Sequence, residues 1–448
     1  MTFKKKMLAV AAAGALTATA AVPAMALENE FHGMFRAFGY VTNSLNGTAN
    51  FLVNKDAKTN SFVEQRARLM YVAKANDDLK LVTHFELDSR WGSVTGAKYV
   101  TNDAGGLDAD QVTLETKNVF LDFNCPLTGT NVKVGIQPFN DSYYGLFGNF
   151  DGTGLQATKK FGAFTPTFGY FRIADSGAAT AAGLAGKLTT DLVVLDGKYA
   201  VNKNITVGGS YYGVMRDTGS APAAELVHML GLNGGGTFGP ANVNAFFAYE
   251  FGDAKKSANE KLSAFALGAA AKIAVGPGKI NAAAVYLSGD DNGTGDNKDF
   301  KALSNTGATS YFGPSNMWLL IRNNVTINSS AGLVGAAGNV GGGDLTAGGR
   351  GLIGLFAGYE GAAGKMFYNA NLGYAQVDKK RTANSAVIGT EINGTVGYKL
   401  YDNLSASFTA AYAFLGDGMK KTTGTLLPGG KADADNPYLT NIQLNYTF

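Results

Sequence analysis

The stretch Ser61–Trp91, SFVEQRARLMYVAKANDDLKLVTHFELDSRW, predicts a hairpin of two-faced β-strands. On both sides of the polar turn Asn76-Asp77-Asp78, polar or charged side chains alternate with apolar ones. Alternation with a period of two is typical of a strand that has one polar and one apolar face. The polar face carries Glu64, Arg66, Arg68, Lys74, Lys80, His84, Glu86, Asp88 and Arg90. Taken alone, this hairpin fits a soluble sheet and a membrane barrel equally well.

The N-terminus has the features of a secretory signal peptide. Lys4-Lys5-Lys6 precedes an apolar run from Met7 to Val22, and Ala24-Met25-Ala26 provides a small-residue cleavage site. These three features in this order define the class. We therefore expect residues 1–26 to be removed and residues 27–448 to form a single domain.

Composition excludes two classes of protein and favours a third. The chain has 38 basic and 35 acidic residues, and three of the lysines lie in the predicted signal, so the mature charge is near zero. A nucleic-acid binder needs an excess of Lys and Arg. No later apolar run reaches the ~18 residues of a membrane-spanning helix. Membrane insertion would then require a closed barrel, the other structure that satisfies its backbone in lipid.

The period-two alternation returns along the whole chain and predicts an all-β, transmembrane antiparallel barrel of about 18 strands, with 16 as the alternative. Short connections such as Asp402-Asn403 alternate with longer ones. Short periplasmic turns and long outer loops are typical of such barrels. The longest interruption, residues 289–349, is a predicted outer loop. Within it, residues 315–322 fit a helix, a strand or a loop.

The last strand, Tyr438–Phe448, places Ile442, Leu444, Tyr446 and Phe448 on one face. It resembles the closing strand of Gram-negative outer-membrane barrels, in which the terminal aromatic residue is part of the assembly signal. The resemblance implies an outer-membrane location, contact with lipid and lipopolysaccharide, and recognition by the barrel-assembly machinery. Resemblance to general porins further implies a homotrimer.

A narrower resemblance rests on a few short stretches. They are Arg66-Ala67-Arg68, Glu86-Leu87-Asp88-Ser89-Arg90-Trp91-Gly92, Ser288-Gly289-Asp290 and Asp299-Phe300. Together they resemble the alginate-export type of outer-membrane porin. This resemblance implies 18 strands around a polar, charge-lined pore.

The polar face of the opening hairpin is the predicted pore lining, because the polar face of a barrel strand lines the lumen. Opposite charges on neighbouring strands can form a salt-bridge lattice that stiffens the wall. The same charges can create a transverse field that sorts solutes by charge. Both roles are expected for this row.

The segment Phe139–Asp151 is the predicted constriction, because it follows the fifth strand and combines aromatic residues with glycines. Its candidate residues are Asp141, Tyr143, Tyr144, Phe147 and Asp151. We expect Asp141 and Asp151 to face the solute opposite Arg66, Arg68 and Arg90. The alternative is an ordinary aromatic loop at the membrane surface.

The sequence offers one candidate metal site and no cofactor or catalytic site. Asp290, Asn292, Asp296 and Asp299 form a weak calcium candidate, but Lys301 stands where a calcium-binding loop needs a bidentate Glu. No cofactor is expected. The three histidines are far apart in sequence and none has an identifiable nucleophile partner, so no enzyme is predicted. The glycine-rich run at residues 335–351 lacks a phosphate-loop ending.

These observations favour a porin that forms a passive, water-filled channel for small hydrophilic solutes or ions. Its selectivity would be set by the charged lumen row and an inward loop. The alternative is a structural or adhesive barrel with a closed lumen that presents surface loops.

Overall fold

A computed structural model of the protein describes residues 28–45, 53–92, 114–175, 188–217, 225–253, 261–291, 295–303, 312–321, 332–337, 345–420, 425–427 and 433–448. The predicted signal peptide lies outside these residues. In this part of the chain, no helix is long and apolar enough to cross a membrane.

The described residues form one closed, 18-stranded antiparallel β-barrel. Each strand pairs with its neighbours in sequence, and pairing of the first strand with the last closes the sheet. The prediction of 18 strands is confirmed, and the alternative of 16 is wrong. The strands are β1 (Glu28–Thr42), β2 (Asn60–Asn76), β3 (Leu79–Arg90), β4 (Leu114–Asn124), β5 (Asn131–Asn140), β6 (Asn149–Thr158), β7 (Phe164–Asp175), β8 (Thr189–Ala200), β9 (Ile205–Arg216), β10 (Glu225–Phe238), β11 (Ala241–Asp253), β12 (Lys261–Val275), β13 (Gly278–Leu287), β14 (Leu352–Ala363), β15 (Met366–Gln376), β16 (Val387–Tyr401), β17 (Leu404–Leu415) and β18 (Tyr438–Thr447).

Short and long connections alternate around the barrel, as the sequence predicts. The short ones are residues 77–78, 125–130, 159–163, 201–204, 239–240, 276–277, 364–365 and 402–403. They all lie at one end of the barrel, the short-turn end, and the longer connections lie at the other, the long-loop end. Which end faces the periplasm stays a prediction.

The two faces of the wall differ in chemistry, as alternation requires. The outer face exposes large apolar side chains, among them Phe31, Leu69, Leu121 and Leu232. The inner face carries the polar row of β2 and β3 together with buried apolar clusters. A barrel with an apolar outer surface and a polar inner one fits a lipid environment.

Part of the interior is filled by the connection between β13 and β14. Phe312, Met317 and Leu319–Ile321 in this connection are fully buried and belong to the main apolar cluster. The segment 289–349 joins β13 and β14 at the long-loop end, and its outer location stays a prediction. These apolar side chains pack inside the barrel because packing removes them from water. A 3₁₀ turn at Gly313–Ser315 is followed by bends, so residues 315–321 form neither an α-helix nor a strand.

Barrel closure brings the two ends of the sheet into close contact. The Gly33 N–H donates to the Phe448 carbonyl over 2.9 Å, and the Phe448 N–H donates back to the Gly33 carbonyl over 3.1 Å. A Cβ atom at Gly33 would lie 2.5 Å from the Phe448 ring and 2.6 Å from the Arg68 carbonyl oxygen. Glycine at this position therefore lets the C-terminal ring lie against β1.

We predict that Gly33→Val lowers the yield of refolded barrel, because the new side chain overlaps both Phe448 and the β2 backbone. The matched control is Gly39→Val, since a Cβ at Gly39 meets only the Ile442 carbonyl oxygen, at 3.9 Å. Folded fraction can be measured by the mobility of unheated and heated samples on a gel. Equal refolding of the two variants would contradict this role of Gly33.

Candidate functional site in the barrel lumen

The β5–β6 hairpin leaves the barrel wall and folds into the lumen. β4 stops pairing with β5 at Ile136, and β7 stops pairing with β6 at Thr153, whereas β5 and β6 remain paired as far as Asn140 and Asn149. Gly135 lies at the bend with φ 131°, where a Cβ would lie 2.8 Å from the Phe120 Cα. That conformation favours glycine.

The tip of this hairpin reaches the wall formed by β9 and β11. The Tyr143 ring lies 5.5 Å from Phe246 and 5.9 Å from Tyr212, measured between centroids. Tyr144 packs edge-on against Phe312 at 5.6 Å. The Leu303 N–H donates to the Phe147 carbonyl over 2.7 Å. The hairpin therefore divides the barrel interior, and its tip is fixed by aromatic packing.

Asp141 holds the tip in shape. Its two carboxylate oxygens accept four backbone N–H groups over 2.7–2.8 Å, those of Tyr143, Gly145, Phe147 and Gly148. The carboxyl is buried, so our prediction that Asp141 faces the solute is wrong: its oxygens are used by the loop backbone. Tyr143 and Phe147 are likewise buried in the apolar cluster, whereas Tyr144 is partly exposed.

Burial raises the pKa of the Asp141 carboxyl to about 6, against the opposing effect of its backbone donors. The folded-state pKa is therefore above the unfolded value. For this group alone, the stabilising contribution is complete at low pH and is lost as the pH rises through about 6.

Two more buried carboxylates hold the β13–β14 connection against the inner wall. Glu391 on β16 accepts the N–H groups of Trp318, Leu319 and Leu320 over 2.8–2.9 Å. Glu250 on β11 accepts the Lys301 N–H over 2.7 Å. A buried segment without regular structure needs acceptors for its N–H groups, and these side chains supply them.

The open part of the inner wall carries the predicted charge row on β2 and β3. Arg66 makes a bidentate pair with Asp88, over 2.7 Å from Nε and 2.6 Å from Nη2, and also lies 3.3 Å from Glu86. Arg68 pairs with the other oxygen of Glu86. Paired charges fix the positions of these side chains. The row can therefore stiffen the wall as a salt-bridge lattice and also create a transverse field across the lumen.

Arg36 on β1 extends this row, and sequence reasoning missed it. It is the cross-strand partner of Arg66, and its Nε donates to Asn445 Oδ1 over 3.1 Å. No carboxylate is within ion-pair distance of Arg36 among the described residues. Its place on the polar face of β1 is the signal that would have found it. The order across the wall is therefore Arg36, then Arg66 and Arg68, then Glu86 and Asp88.

The remaining predicted pore residues are on the inner wall with varied partners. Lys74 pairs with Glu28 over 3.1 Å and Lys80 with Asp122 over 3.5 Å. Arg90 lies over the Phe62 ring at 4.2 Å, and Glu64 is fully buried beside it in the β2–β3 register. His84 lies 3.3 Å from the Asn118 side chain.

Asp151 is on the face of the inward hairpin that looks back toward β4. Its carboxylate accepts from Lys117 Nζ over 2.5 Å and from Asn118 Nδ2 over 2.7 Å. We expected Asp151 to lie opposite the arginines of β2 and β3, and the structure corrects this: its partners are on β4. The hairpin and the charged wall are thus joined along this edge.

The calcium candidates do not converge on one centre. Asp290 accepts the Lys298 N–H over 3.1 Å, and Asp299 pairs with Lys301 over 2.9 Å. Asn292 lies outside the described residues, and Asp296 is exposed. Within the described ranges, no three His, Cys, Asp or Glu side chains are grouped as metal ligands would be.

The fold was compared with known proteins. No family model and no curated protein sequence matches the chain. Among solved structures, Pseudomonas aeruginosa OccK8 (OprE) is similar with a TM-score of 0.55 and 14% identity, over 94% of this chain and 98% of that one. The outer membrane protein OpdK of P. aeruginosa is similar with a TM-score of 0.54 and 9% identity, over 94% of this chain and 99% of that one. Acinetobacter baumannii OccAB1 is similar with a TM-score of 0.54 and 14% identity, over 94% of this chain and 96% of that one. At these identities the similarity shows the fold.

We predict that Asp141→Asn loosens the hairpin tip, because an amide nitrogen replaces one carboxylate oxygen and faces two N–H donors. Each unsatisfied buried group costs about 1–3 kcal/mol. Hydrogen exchange of residues 142–149, measured by mass spectrometry, should become about tenfold faster or more. The matched control is Asp122→Asn, whose side chain accepts from Asn131 and Lys80 and holds no loop backbone. Unchanged exchange in Asp141→Asn would contradict the role of Asp141.

Proposed function

We propose that this protein is a passive channel of the Gram-negative outer membrane for small hydrophilic solutes. The observation that carries the proposal is the inward β5–β6 hairpin beside an ordered charge row on the inner wall. A narrowed passage with fixed charges selects among solutes by size and charge. The apolar outer face of the 18-stranded barrel supports the membrane location.

The charge row favours anionic solutes at its β1–β2 side. Arg36, Arg66 and Arg68 lie together there, and the carboxylates of Glu86 and Asp88 are on β3. A solute carboxylate would be drawn toward the arginines and away from the acids, across the passage rather than along it. Arginine suits this task because it stays charged and binds carboxylates through a planar fork.

Carboxylates are accordingly the first solutes to test. The structural neighbour OpdK is an outer membrane protein that is also known in a structure with vanillate, an aromatic carboxylate. This neighbour and the arginine cluster support a carboxylate-bearing solute for this chain, and vanillate is the probe.

The alternative, a closed structural or adhesive barrel, uses the 289–349 segment as a surface loop. In that segment, Phe312, Met317 and Leu319–Ile321 pack inside the barrel, so these apolar residues are not at the surface to hold a partner. We also infer that the protein acts without catalysis or a cofactor, that its C-terminal strand is read by the assembly machinery, and that it contacts lipopolysaccharide. A homotrimer is a further hypothesis, tested by native gel mobility before and after heating.

We predict that the triple variant Arg36→Gln, Arg66→Gln, Arg68→Gln shifts ion preference toward cations. Neutralising the arginines removes the positive side of the passage and leaves Glu86 and Asp88 without their partners. The measurement is the reversal potential of single channels in a planar bilayer under a salt gradient. The matched control is Arg172→Gln. Arg172 lies on the face of β7 opposite the buried Phe171 and pairs with Asp191 of β8.

Discrete open steps in the wild type, with a shift in the triple variant and none in the control, would support the proposal. Wild-type protein that inserts and stays silent would favour the closed barrel instead. An equal shift of the reversal potential in the triple variant and in the control would show that the lumen arginines do not set the ion preference.

A further inference from the structure

Two adjoining cavities lie in the inner wall on the short-turn side of the inward hairpin, away from the charge row. The first has a volume of about 360 Å³ and is bounded mainly by β9, β10 and β11. The second, of about 330 Å³, is bounded by β11, β12 and β13 and by the 3₁₀ turn at Gly313. They share Tyr144, Asn242 and Asn244. Cavities of this size are in the range of small-molecule sites.

The polar side chains that line the two cavities are mainly neutral, and the second cavity also has alanines, Gly313 and Pro314 in its lining. The polar residues are Ser142, Asn204, Thr206, Asn233, Asn242, Asn244, Asn281 and Asn316. Tyr144 and Phe246 add aromatic surface. The two cations are Lys198 and Lys272, and Lys272 pairs with Glu360 over 3.1 Å. The chemistry therefore differs from that of the β1–β3 wall, where charged groups prevail.

The amides are accommodated by glycines on neighbouring strands. Asn233 is the register partner of Gly208, and Asn244 is the register partner of Gly235. A Cβ at Gly208 would lie 2.8 Å from Asn233 Oδ1, and a Cβ at Gly235 would lie 2.8 Å from Asn244 Cγ. The amides thus lie across the adjacent strand, in space that any larger residue would fill.

Asn281 is the observation that points to a ligand. The residue is 6% exposed, and within the described part of the chain neither its Oδ1 nor its Nδ2 has a hydrogen-bond partner. By contrast, Asn371 on the inner wall donates to Asn393 over 2.8 Å. Buried amides are normally paired, so this one retains an unused donor and an unused acceptor beside the second cavity.

We propose that these two cavities form an amide-lined site that binds a neutral polyhydroxylated solute of about monosaccharide size. A hydroxyl can both donate and accept hydrogen bonds, so it can pair with the N–H and with the oxygen of an amide. A carboxylate can only accept. The aromatic rings of Tyr144 and Phe246 provide apolar surface for the C–H face of a sugar ring. The proposal rests on the channel function and adds a second solute class, bound on the opposite wall.

The test uses methyl β-D-glucopyranoside and detergent-solubilised full-length protein, with saturation-transfer NMR as the readout of binding. We expect binding to the wild type and about tenfold weaker binding to Asn244→Leu, Asn281→Leu, since each lost hydrogen bond costs about 0.5–1.5 kcal/mol. Asn281→Leu alone removes an unpaired buried amide, so it should fold normally and still weaken binding. The matched control is Asn131→Leu, which is outside both cavities and should bind as the wild type does.

Absence of binding to the wild type, or equal binding to the wild type and the double variant, would overturn this inference. The readout does not depend on conductance, so the two proposals can fail separately. An open channel that binds no glucoside contradicts the amide site alone. Glucoside binding by a protein that never conducts supports the site and contradicts the channel.

Discussion

Backbone N–H groups brought inside a barrel must find acceptors, and the arrangement of this lumen depends on how that need is met. The wall pairs its own backbone, but the β5–β6 tip and the β13–β14 connection have irregular structure in the interior. Buried carboxylates of Asp141, Glu250 and Glu391 accept their N–H groups. Unpaired, each such group would cost about 1–3 kcal/mol. These three carboxylates therefore decide which parts of the lumen are filled.

The filled part and the open part together give the passage its chemistry. The inward hairpin packs its aromatic tip on β9 and β11 and turns Asp151 toward β4. Beside it, the wall of β1–β3 keeps its charges in fixed pairs, with Arg36 at the least compensated end. On the opposite wall, asparagines replace charges. A solute thus meets groups that recognise carboxylates on one side and groups that recognise hydroxyls on the other.

The barrel was predictable from the sequence because strands obey a local rule. Period-two alternation in segments such as Ser61–Trp91 does not depend on distant contacts, so the strand number was correct. β6 begins at Asn149, inside the segment Phe139–Asp151 that the sequence indicates as the constriction. The first residues of β6 belong to the inward hairpin, where the outer face no longer meets lipid and the alternation of apolar residues is lost.

The interior was less predictable because inward folding is a tertiary property. Met317–Ile321 has the same apolar sequence whether it packs on lipid or on the inner wall. The sequence alone suggests that Asp141 faces the solute, because it does not show that the backbone N–H groups of the same loop surround the carboxylate. The segment Phe139–Asp151 after the fifth strand does fold inward, and its aromatic and glycine content reflects its packing and its bends; its role as the constriction stays a prediction.

The most direct test of the account is the single-channel conductance of a variant in which residues 142–147 are replaced by two glycines. The β5–β6 tip lies across the lumen, so its removal should widen the passage and raise conductance well above that of the wild type. Folding of the shortened barrel can be checked by heat-dependent gel mobility. Conductance equal to that of the wild type in a correctly folded variant would show that the β5–β6 tip does not limit the channel and would contradict the account.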